Sequence, residues 1–383
     1  MLPELTKQEV LRYSRHMFLP EVGMEGQQKL KAASVLVIGT GGLGSPVSLY
    51  LAAGGVGRIG IVDYDVVELS NLQRQVLHGT RTLRVPKVES ARQRMLDLNP
   101  EICVEAHNIL FNAETGREIA ADYDILVDGT DNFPTRYLIN DLAVMTKKPY
   151  VYGSIFRFEG QLSVFDARVG PCYRCLFPEP PPPGSVPACG EAGVFGAVPG
   201  TIGTMQAAEV VKLILGVGQP LIGKLLLYDA IDMSFHTVQL RKNPRCKVCS
   251  PQPEITELID YEAFCGMPAH DRGIVPTHVP DIAPDELAGR LTRGEDILLL
   301  DIREAIETQI SRLPGSIQIS LDQLPRRLHE LDRNREIVVY CRIGVRSARA
   351  VGLMQQAGFS RVRNLRGGIN AWADQVDPTM YRY

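Results

Sequence analysis

Four cysteines in two closely spaced pairs form the most specific chemical pattern in the sequence. Cys172 and Cys175 make one Cys-x-x-Cys pair, and Cys246 and Cys249 make the other. Two such pairs can deliver four thiolates to a tetrahedral ion, which is the donor set of structural zinc. Because this kind of site leaves no coordination position for a substrate, we expect Zn²⁺ to hold the fold together rather than to react.

A glycine-rich stretch from Gly39 to Gly44 (GTGGLG) predicts a nucleotide site. It follows an apolar run and precedes a helical pattern of small residues, and it fits G-x-G-x-x-G. Glycines there let the backbone turn tightly and approach a phosphate at a helix N-terminus. Asp63, at the end of the next apolar run, is placed to accept hydrogen bonds from ribose hydroxyls. Alone, this fingerprint does not distinguish a redox dinucleotide from ATP.

Charged residues farther along the chain favour ATP. Arg74 lies in the stretch 70–75 (SNLQRQ), Lys87 opens a helical pattern, and Asp131 lies just beyond a later strand. A triphosphate attacked at its α-phosphorus needs charge neutralisation and a magnesium ligand, whereas a dinucleotide pyrophosphate needs little extra cation. Each residue alone could be a solvated surface charge, but together they predict ATP with Mg²⁺.

Cys341 begins a short loop that could hold a nucleophilic sulfur. It ends a buried strand pattern and starts the stretch 341–347 (CRIGVRS), after which helical sequence resumes. Amides of a tight loop at a helix N-terminus, together with Arg342 and Arg346, would stabilise a thiolate or persulfide. Cysteine phosphatases with a related loop place five residues between the cysteine and the arginine. This loop has four, and the shorter loop favours binding of sulfur over binding of phosphate.

The helix and strand patterns that must position these residues predict two α/β domains. Apolar runs 34–39, 58–63 and 124–128 alternate with helical patterns, which predicts a mainly parallel sheet with helices on both faces. Short strand patterns over 150–165 predict an antiparallel continuation, and the proline-rich stretch 177–187 predicts a loop.

A smaller α/β domain follows a stretch without periodicity. We place the first domain at 1–250, a linker at 251–283 and the second domain at 284–383, in keeping with the length of 383 residues. In the second domain, strands at 297–301, 337–341 and 362–365 alternate with helical patterns at 284–293, 305–310 and 346–356.

Composition gives no support for nucleic acid or a membrane as partner. The formal net charge is −3, from 41 Lys and Arg against 44 Asp and Glu, so bulk charge does not favour nucleic acid or an anionic membrane. The N-terminus has no apolar signal segment, and Gln206, Glu209 and Lys212 interrupt the most apolar late helical pattern. We therefore expect a cytoplasmic protein whose eight cysteines are reduced.

The motifs RYSRH, GTGGLG, DYD, SNLQRQ, PKVESA and GTDN, in this order over about residues 4–250, resemble the ThiF/MoeB branch of the ubiquitin-activating enzyme superfamily. The resemblance implies a Rossmann-like adenylation domain that uses ATP to adenylate the C-terminal glycine of a small ubiquitin-like sulfur-carrier protein, releasing pyrophosphate. It also implies a homodimer, because Arg15 resembles an arginine that reaches the neighbouring subunit's site.

The resemblance assigns roles residue by residue. Gly42 would approach the phosphates, Asp63 would hold the ribose, and Lys87 would pair with phosphate. Asp131 would bind magnesium with Asn132 beside it, while Arg15, Arg74 and Lys87 would offset charge on the leaving pyrophosphate. The remaining nucleotide-site residues implied are Gly39, Gly41, Gly44, Ser70 and Asn71.

Cys189 follows the proline-rich stretch and is open to two interpretations. From sequence alone it would be an ordinary buried thiol. The family resemblance places it on a crossover loop, where it would take the acyl group as a thioester or resolve an acyl disulfide. No neighbouring base is visible in the sequence to activate it.

Residues from about 280 to 383 resemble a rhodanese domain at the Cys341 loop, at 300–304 (LDIRE) and at 366–372 (RGGINAW). They depart from the family at 311–314 (SRLP), where Gly-His or a similar pair usually precedes Ile-Pro-Gly, which leaves donor recognition open.

Together, the two resemblances predict adenylation followed by sulfur transfer from a Cys341 persulfide to give a thiocarboxylate for molybdopterin cofactor synthesis or other thiolation pathways. The sulfur donor would be a cysteine desulfurase or thiosulfate. Three alternatives are an activator for protein conjugation with a docking rhodanese domain, a nicotinamide oxidoreductase, and an idle scaffold for carrier proteins. The rhodanese loop argues against the conjugation activator. Arg74 and Lys87 argue against the oxidoreductase, and the full set of reactive residues argues against the scaffold.

Overall fold

A computed structural model describes residues 2–182, 192–266 and 279–383. Contacts divide the chain into two compact units, Met1–His270 and Asp271–Tyr383, and each has its own sheet. No helix in these described ranges is long and apolar enough to cross a membrane.

The first unit is an eight-stranded sheet with helices on both faces. Its strands are β1 Ser34–Ile38, β2 Arg58–Val62, β3 Cys103–His107, β4 Ile125–Asp128, β5 Tyr150–Phe156, β6 Glu159–Phe165, β7 Lys224–Asp229 and β8 Ser234–Gln239. Its helices are α1 Lys7–Arg12, α2 Ser14–Met17, α3 Gly23–Ala32, α4 Gly44–Gly54, α5 Lys87–Leu98, α6 Ala113–Ala120, α7 Phe133–Thr146, α8 Tyr173–Leu176, α9 Ala197–Leu215 and α10 Tyr261–Cys265.

The strand order is β3-β2-β1-β4-β5-β6-β7-β8. Strands β3, β2, β1, β4 and β5 are parallel, and β5 to β8 are antiparallel neighbours. This confirms the predicted Rossmann-like fold with its antiparallel continuation. Both faces of β1 are buried, because Val35 and Val37 pack in one hydrophobic cluster while Leu36 and Ile38 pack in another. A continuous apolar run is therefore what a central parallel strand requires.

Part of the predicted linker packs onto the first unit. Tyr261 and Cys265 of α10 are buried in the cluster that contains Tyr137 of α7, and Phe264 packs against the same cluster. Helix α10 is capped by the Asp260 side chain, which accepts from the Ala263 N–H. The helix is too short for its apolar spacing to register as a periodic pattern, which is why it was not predicted.

The second unit is a five-stranded sheet in the order β11-β10-β12-β13-β9, with every pair parallel. Its strands are β9 Asp281–Ile282, β10 Ile297–Asp301, β11 Ile317–Gln318, β12 Glu336–Tyr340 and β13 Val362–Leu365. Its helices are α11 Pro284–Thr292, α12 Leu324–Arg327, α13 Val345–Gln356 and α14 Gly368–Gln375. The predicted helix at 305–310 is only a 3₁₀ turn, Glu307–Gln309, because exposed Ile306 and Ile310 provide no buried apolar stripe.

Candidate functional site

A pocket lies at the carboxyl ends of β1, β2 and β4. The chain leaves β1 toward β2 on one side of the sheet and later returns to β4 on the other, so the pocket lies at a topological switch point. The predicted site residues that line it are Gly39, Gly41, Gly42, Asp63, Arg74, Lys87, Asp131 and Asn132. Motifs that are far apart in sequence thus form one cleft.

Backbone contacts between glycines form the floor of this pocket. Gly39 has φ +91°, and a Cβ there would lie 2.7 Å from the Gly129 carbonyl oxygen at the end of β4. A Cβ on Gly44 or on Gly129 would overlap the carbonyl oxygen of Gly39. Gly44 is not among the described lining residues; its place in the structure is in the close packing of the turn, and its predicted nucleotide contact stays a prediction.

Asp63 holds the glycine loop in place. Its Oδ2 accepts hydrogen bonds from the Thr40 N–H at 2.9 Å and the Thr40 hydroxyl at 3.0 Å, and its Oδ1 accepts from the Asp65 N–H at 3.0 Å. A carboxylate offers about four lone-pair positions, so capacity remains for a ribose hydroxyl.

Lys87, the first residue of α5, is buried beside the pocket. Its Nζ donates to Asp65 Oδ2 at 2.9 Å. Burial alone would lower the pKa of Lys87, but the surrounding carboxylates of Asp63, Asp65 and Asp131 outweigh it and raise the pKa above its ordinary value. Lys87 therefore stays cationic. Asp65 was not assigned a role from sequence, and the only signal for it was the second aspartate of DYD.

His78 connects the glycine loop to helix α5. Its Nε2 lies 2.9 Å from the Thr40 carbonyl oxygen, and its Nδ1 lies 3.0 Å from Ser90 Oγ. Burial lowers the pKa of His78. No sequence pattern singled out this residue, because its partners are distant in the chain.

A buried network supports the loop that carries Asp131 and Asn132. The Asp128 carboxylate accepts from the Thr130 N–H and hydroxyl and from the Tyr150 hydroxyl at 2.7 Å. Asn132 caps α7 by accepting from the Thr135 N–H at 2.9 Å. The loop is therefore held at both ends.

Besides Gly44, three residues predicted for the nucleotide site are not among those that line the pocket. Ser70 and Asn71 are in a 3₁₀ turn, Leu69–Asn71, which supports Arg74 because Arg74 Nη1 donates to the Ser70 carbonyl oxygen at 3.2 Å. Arg15 is exposed on α2, with its guanidinium 5.7 Å from the Phe18 ring centroid. Its role in a neighbouring subunit stays a prediction. Cys189 lies outside the described residues, so its role also stays a prediction.

The four paired cysteines converge in one cluster. Sγ–Sγ distances are 3.9 Å for Cys172 and Cys175, 3.6 Å for Cys172 and Cys246, and 3.4 Å for Cys175 and Cys249. A tetrahedron with Zn–S bonds of about 2.3 Å has sulfurs about 3.8 Å apart. All four sulfurs lie within 4.8 Å of one another, so the donor set and its dimensions fit zinc.

A buried ion pair anchors the first Cys-x-x-Cys pair to α7. Arg174, between Cys172 and Cys175, donates to both oxygens of Asp141 at 2.8 Å. The Tyr261 hydroxyl also donates to Asp141, and the Arg174 guanidinium lies 4.5 Å from the Phe264 ring centroid. Helix α7 begins beside the pocket and is thereby joined to the cysteine cluster.

We predict that Asp141→Asn destabilises the first unit by about 3 to 5 kcal/mol, because it leaves the Arg174 charge buried without its carboxylate. Urea unfolding of the purified chain, followed by circular dichroism, measures the change. The control is Asp97→Asn, which removes an exposed pair with Arg94 and should cost at most about 1 kcal/mol. Equal losses in both variants would contradict an anchoring role for Asp141.

A second candidate site surrounds Cys341, which follows β12. Its Sγ accepts from the Gly344 N–H at 3.1 Å and from the Ser347 hydroxyl at 3.3 Å. Gly344 has φ +91° and caps α13, so a tight glycine turn directs an amide at the sulfur. The first turn of α14 holds the same loop, because the Ile369 N–H donates to the Cys341 carbonyl oxygen. Such a cradle suits a thiolate or persulfide.

The two loop arginines have partners that the sequence did not reveal. Arg346 Nη1 and Nη2 donate to the two carboxylate oxygens of Glu307 at 2.8 and 2.6 Å. The Arg342 guanidinium lies 5.8 Å from the Tyr383 ring centroid. The predicted role of Arg346 in stabilising the sulfur anion stays a prediction, and the contact that the structure shows for its guanidinium is with Glu307.

Comparisons with known proteins match the two parts of the chain to two different families. The ThiF family model matches residues 13–248, and the rhodanese-like domain model matches residues 283–375. A protein named probable adenylyltransferase/sulfurtransferase MoeZ, from Mycobacterium tuberculosis, is 48% identical over 99% of this chain and 96% of its own length.

Two further proteins resemble the first unit. A sulfur carrier protein adenylyltransferase from Thermus thermophilus is 55% identical over 68% of this chain and 98% of its own length. A crystal structure of Escherichia coli MccB with ATP superposes with a TM-score of 0.55 at 27% identity, covering 62% of this chain and 74% of that chain.

Proposed function

The chain belongs to the ThiF family and carries a rhodanese-like domain, and from this premise we propose that it adenylates a small ubiquitin-like sulfur-carrier protein and then transfers sulfur to it. The observation that carries the proposal is the presence, in one chain, of a phosphate-type glycine pocket and a cysteine cradled by a helix N-terminus. Joining the two activities would raise the effective concentration of the sulfur donor around a labile acyl-adenylate.

In the first reaction, the carrier's terminal carboxylate attacks the α-phosphorus of ATP, and pyrophosphate leaves. The amides of the glycine loop would receive phosphate oxygens, and Arg74 and Lys87 would offset charge on the leaving group. Lys87 has three N–H donors, so it can retain Asp65 while donating to a phosphate. Asp131 is the residue that would hold Mg²⁺, which supplies further charge neutralisation when bound.

In the second reaction, the terminal sulfur of a Cys341 persulfide attacks the carbonyl carbon of the acyl-adenylate and displaces AMP. The product is an acyl disulfide between the carrier and Cys341. A thiolate, from Cys189 or a separate reductant, then attacks the Cys341 sulfur, and the carrier leaves as a thiocarboxylate. This step leaves a disulfide on Cys341, which a second thiol of the reductant must reduce before the next cycle. The Gly344 N–H and the Ser347 hydroxyl would stabilise the Cys341 thiolate and its persulfide anion before transfer.

We include a homodimer in the proposal, with Arg15 completing the partner's nucleotide site, and we place the reaction in the cytoplasm. There, ATP is available and thiols remain reduced. Thiocarboxylate carriers would then serve molybdopterin synthesis or another thiolation pathway.

The whole reaction is tested by incubating the chain with ATP, Mg²⁺, thiosulfate and candidate carriers that end in Gly-Gly, and then weighing the carrier. A mass gain that matches oxygen replaced by sulfur supports the proposal. A carrier linked to the enzyme by a thioester, rather than by an acyl disulfide to Cys341, would instead support activation for conjugation, and an unchanged carrier would contradict both functions.

We propose that the cysteine cluster holds structural zinc, and we predict that Cys249→Ser lowers zinc content and destabilises the first unit. The loss should be on the order of several kcal/mol, because the binding energy of structural zinc is folding energy. Elemental analysis and thermal unfolding measure the two effects. Cys103→Ser, which alters an exposed thiol outside the cluster, is the control and should retain zinc. Full zinc content in Cys249→Ser would contradict the assignment.

A further inference from the structure

Glu307 is a carboxylate that binds Arg346, one of the two arginines in the Cys341 loop. It lies in the 3₁₀ turn after β10, and both of its oxygens accept from Arg346. Both side chains are largely buried, with 10% of Glu307 and 13% of Arg346 exposed. A bidentate pair of this kind fixes the guanidinium in one orientation.

Other contacts hold Glu307 in place. The Glu304 N–H donates to its Oε2 at 2.9 Å, and the Tyr383 hydroxyl donates to its Oε1 at 3.1 Å. Burial alone would raise the pKa of Glu307, but its hydrogen bonds with Arg346 outweigh burial and lower the pKa. The carboxylate is therefore a fixed negative charge beside the loop at neutral pH.

The sulfur has donors that do not involve this ion pair. Gly344 and Ser347 supply hydrogen bonds to Cys341 Sγ. A Cys341 thiolate can consequently be stabilised while Arg346 is engaged by Glu307. The ion pair offsets the positive charge of Arg346, which is a residue of the loop, and so lowers the net positive charge around the sulfur.

We propose that Glu307 is a specificity-determining residue that weakens binding of small anionic sulfur donors to the Cys341 loop by keeping Arg346 paired and its charge offset. This inference rests on the proposed sulfurtransferase function. Glu307 acts through Arg346, so it is a positioning residue and does not itself contact the transferred sulfur.

The step concerned is sulfur loading. The Cys341 thiolate attacks the outer sulfur of thiosulfate, the sulfur–sulfur bond of thiosulfate breaks, and sulfite leaves with the bonding electron pair. A Cys341 persulfide anion remains. Cyanide can then remove the outer sulfur as thiocyanate and regenerate the thiolate, which gives a continuous assay.

The test compares the full-length chain with Glu307→Gln in this thiosulfate and cyanide assay. Glutamine keeps the side-chain length and an accepting oxygen but removes the charge. We expect the KM for thiosulfate to fall roughly five- to fiftyfold, as the electrostatic cost for a dianion is relieved. The kcat should change much less, because the Gly344 and Ser347 donors remain.

A second donor separates charge from loosened structure. Methanethiosulfonate carries one negative charge, whereas thiosulfate carries two, so its KM should fall by a smaller factor in Glu307→Gln. The matched control is Glu295→Gln, which removes a carboxylate paired with Arg290 and Arg293 just before the amino end of β10. That control should leave both KM values unchanged.

An unchanged KM for thiosulfate in Glu307→Gln, or an equal fall for both donors, overturns the inference. If Glu307→Gln does not fold, Glu307→Ser is used. Serine also removes the negative charge, and the KM must still fall more for thiosulfate than for methanethiosulfonate. Failure of the proposed function is a different result, since the wild-type chain would then form no persulfide on Cys341 by mass spectrometry.

Discussion

Asp131→Asn should lower the carrier-dependent exchange of labelled pyrophosphate into ATP by at least about a hundredfold. Asp131 lines the pocket beyond β4, and its carboxylate is the proposed magnesium ligand. Without that ligand, the negative charge developing between the α-phosphorus and the leaving pyrophosphate is poorly neutralised, which typically costs a factor of this size or more. Asparagine keeps the shape of the side chain, so the loss would arise from its charge.

The control for this experiment is Asp122→Asn, which alters an exposed carboxylate before the opposite end of β4. It should retain exchange, and both variants should unfold at the wild-type temperature. Unchanged exchange in Asp131→Asn would remove this residue from the mechanism. Loss in both variants would point to a general effect on the fold.

Cys341→Ser should eliminate thiocarboxylate formation from thiosulfate, by at least about a thousandfold, and leave pyrophosphate exchange intact. A serine hydroxyl cannot carry the transferable sulfur, and it is far less nucleophilic than a thiolate. The hydroxyl can still accept from Gly344, so the loop should keep its conformation. Mass spectrometry of the carrier measures the first activity, and isotope exchange measures the second.

Cys103→Ser provides the matched control, because it makes the same substitution at an exposed thiol on β3. It should produce thiocarboxylate at the wild-type rate. Full thiocarboxylate from Cys341→Ser would show that sulfur reaches the carrier without this residue. Simultaneous loss of exchange would instead indicate that Cys341 also matters to adenylation.

The central strands could be predicted because burial on both faces forces continuous apolar runs. Val35 to Ile38 is such a run, and the same signal located β2, β4, β10 and β12. The pocket followed from topology, since residues after parallel strands meet at one edge of a sheet. The convergence of the paired cysteines was predictable because the Cys-x-x-Cys spacing suits a tetrahedral donor set whatever the surrounding fold.

Partners chosen by tertiary contact could not be predicted. Glu307 and Arg346 are 39 positions apart, and Lys87 and Asp65 are 22 apart, so neither pair forms a local pattern. Tyr261 and Cys265 are buried in a single helical turn, which is shorter than any detectable periodicity. Motif resemblance also grouped Gly44 and Ser70 with the ligand-facing residues, although their contacts support the backbone around the pocket.

The cysteine cluster also constrains the order in which the chain can mature on the ribosome. Cys172 and Cys246 are 74 positions apart, and α9, β7 and β8 lie between them. A chain leaves the ribosome N-terminus first, so the five parallel strands are available for folding before the second Cys-x-x-Cys pair has been synthesised. In the zinc assignment proposed above, metal capture therefore follows synthesis of the sheet. All eight strands of the first sheet precede Cys246, so under zinc starvation we expect chains whose sheet can form but whose two cysteine pairs are not joined, a state more exposed to proteases and aggregation.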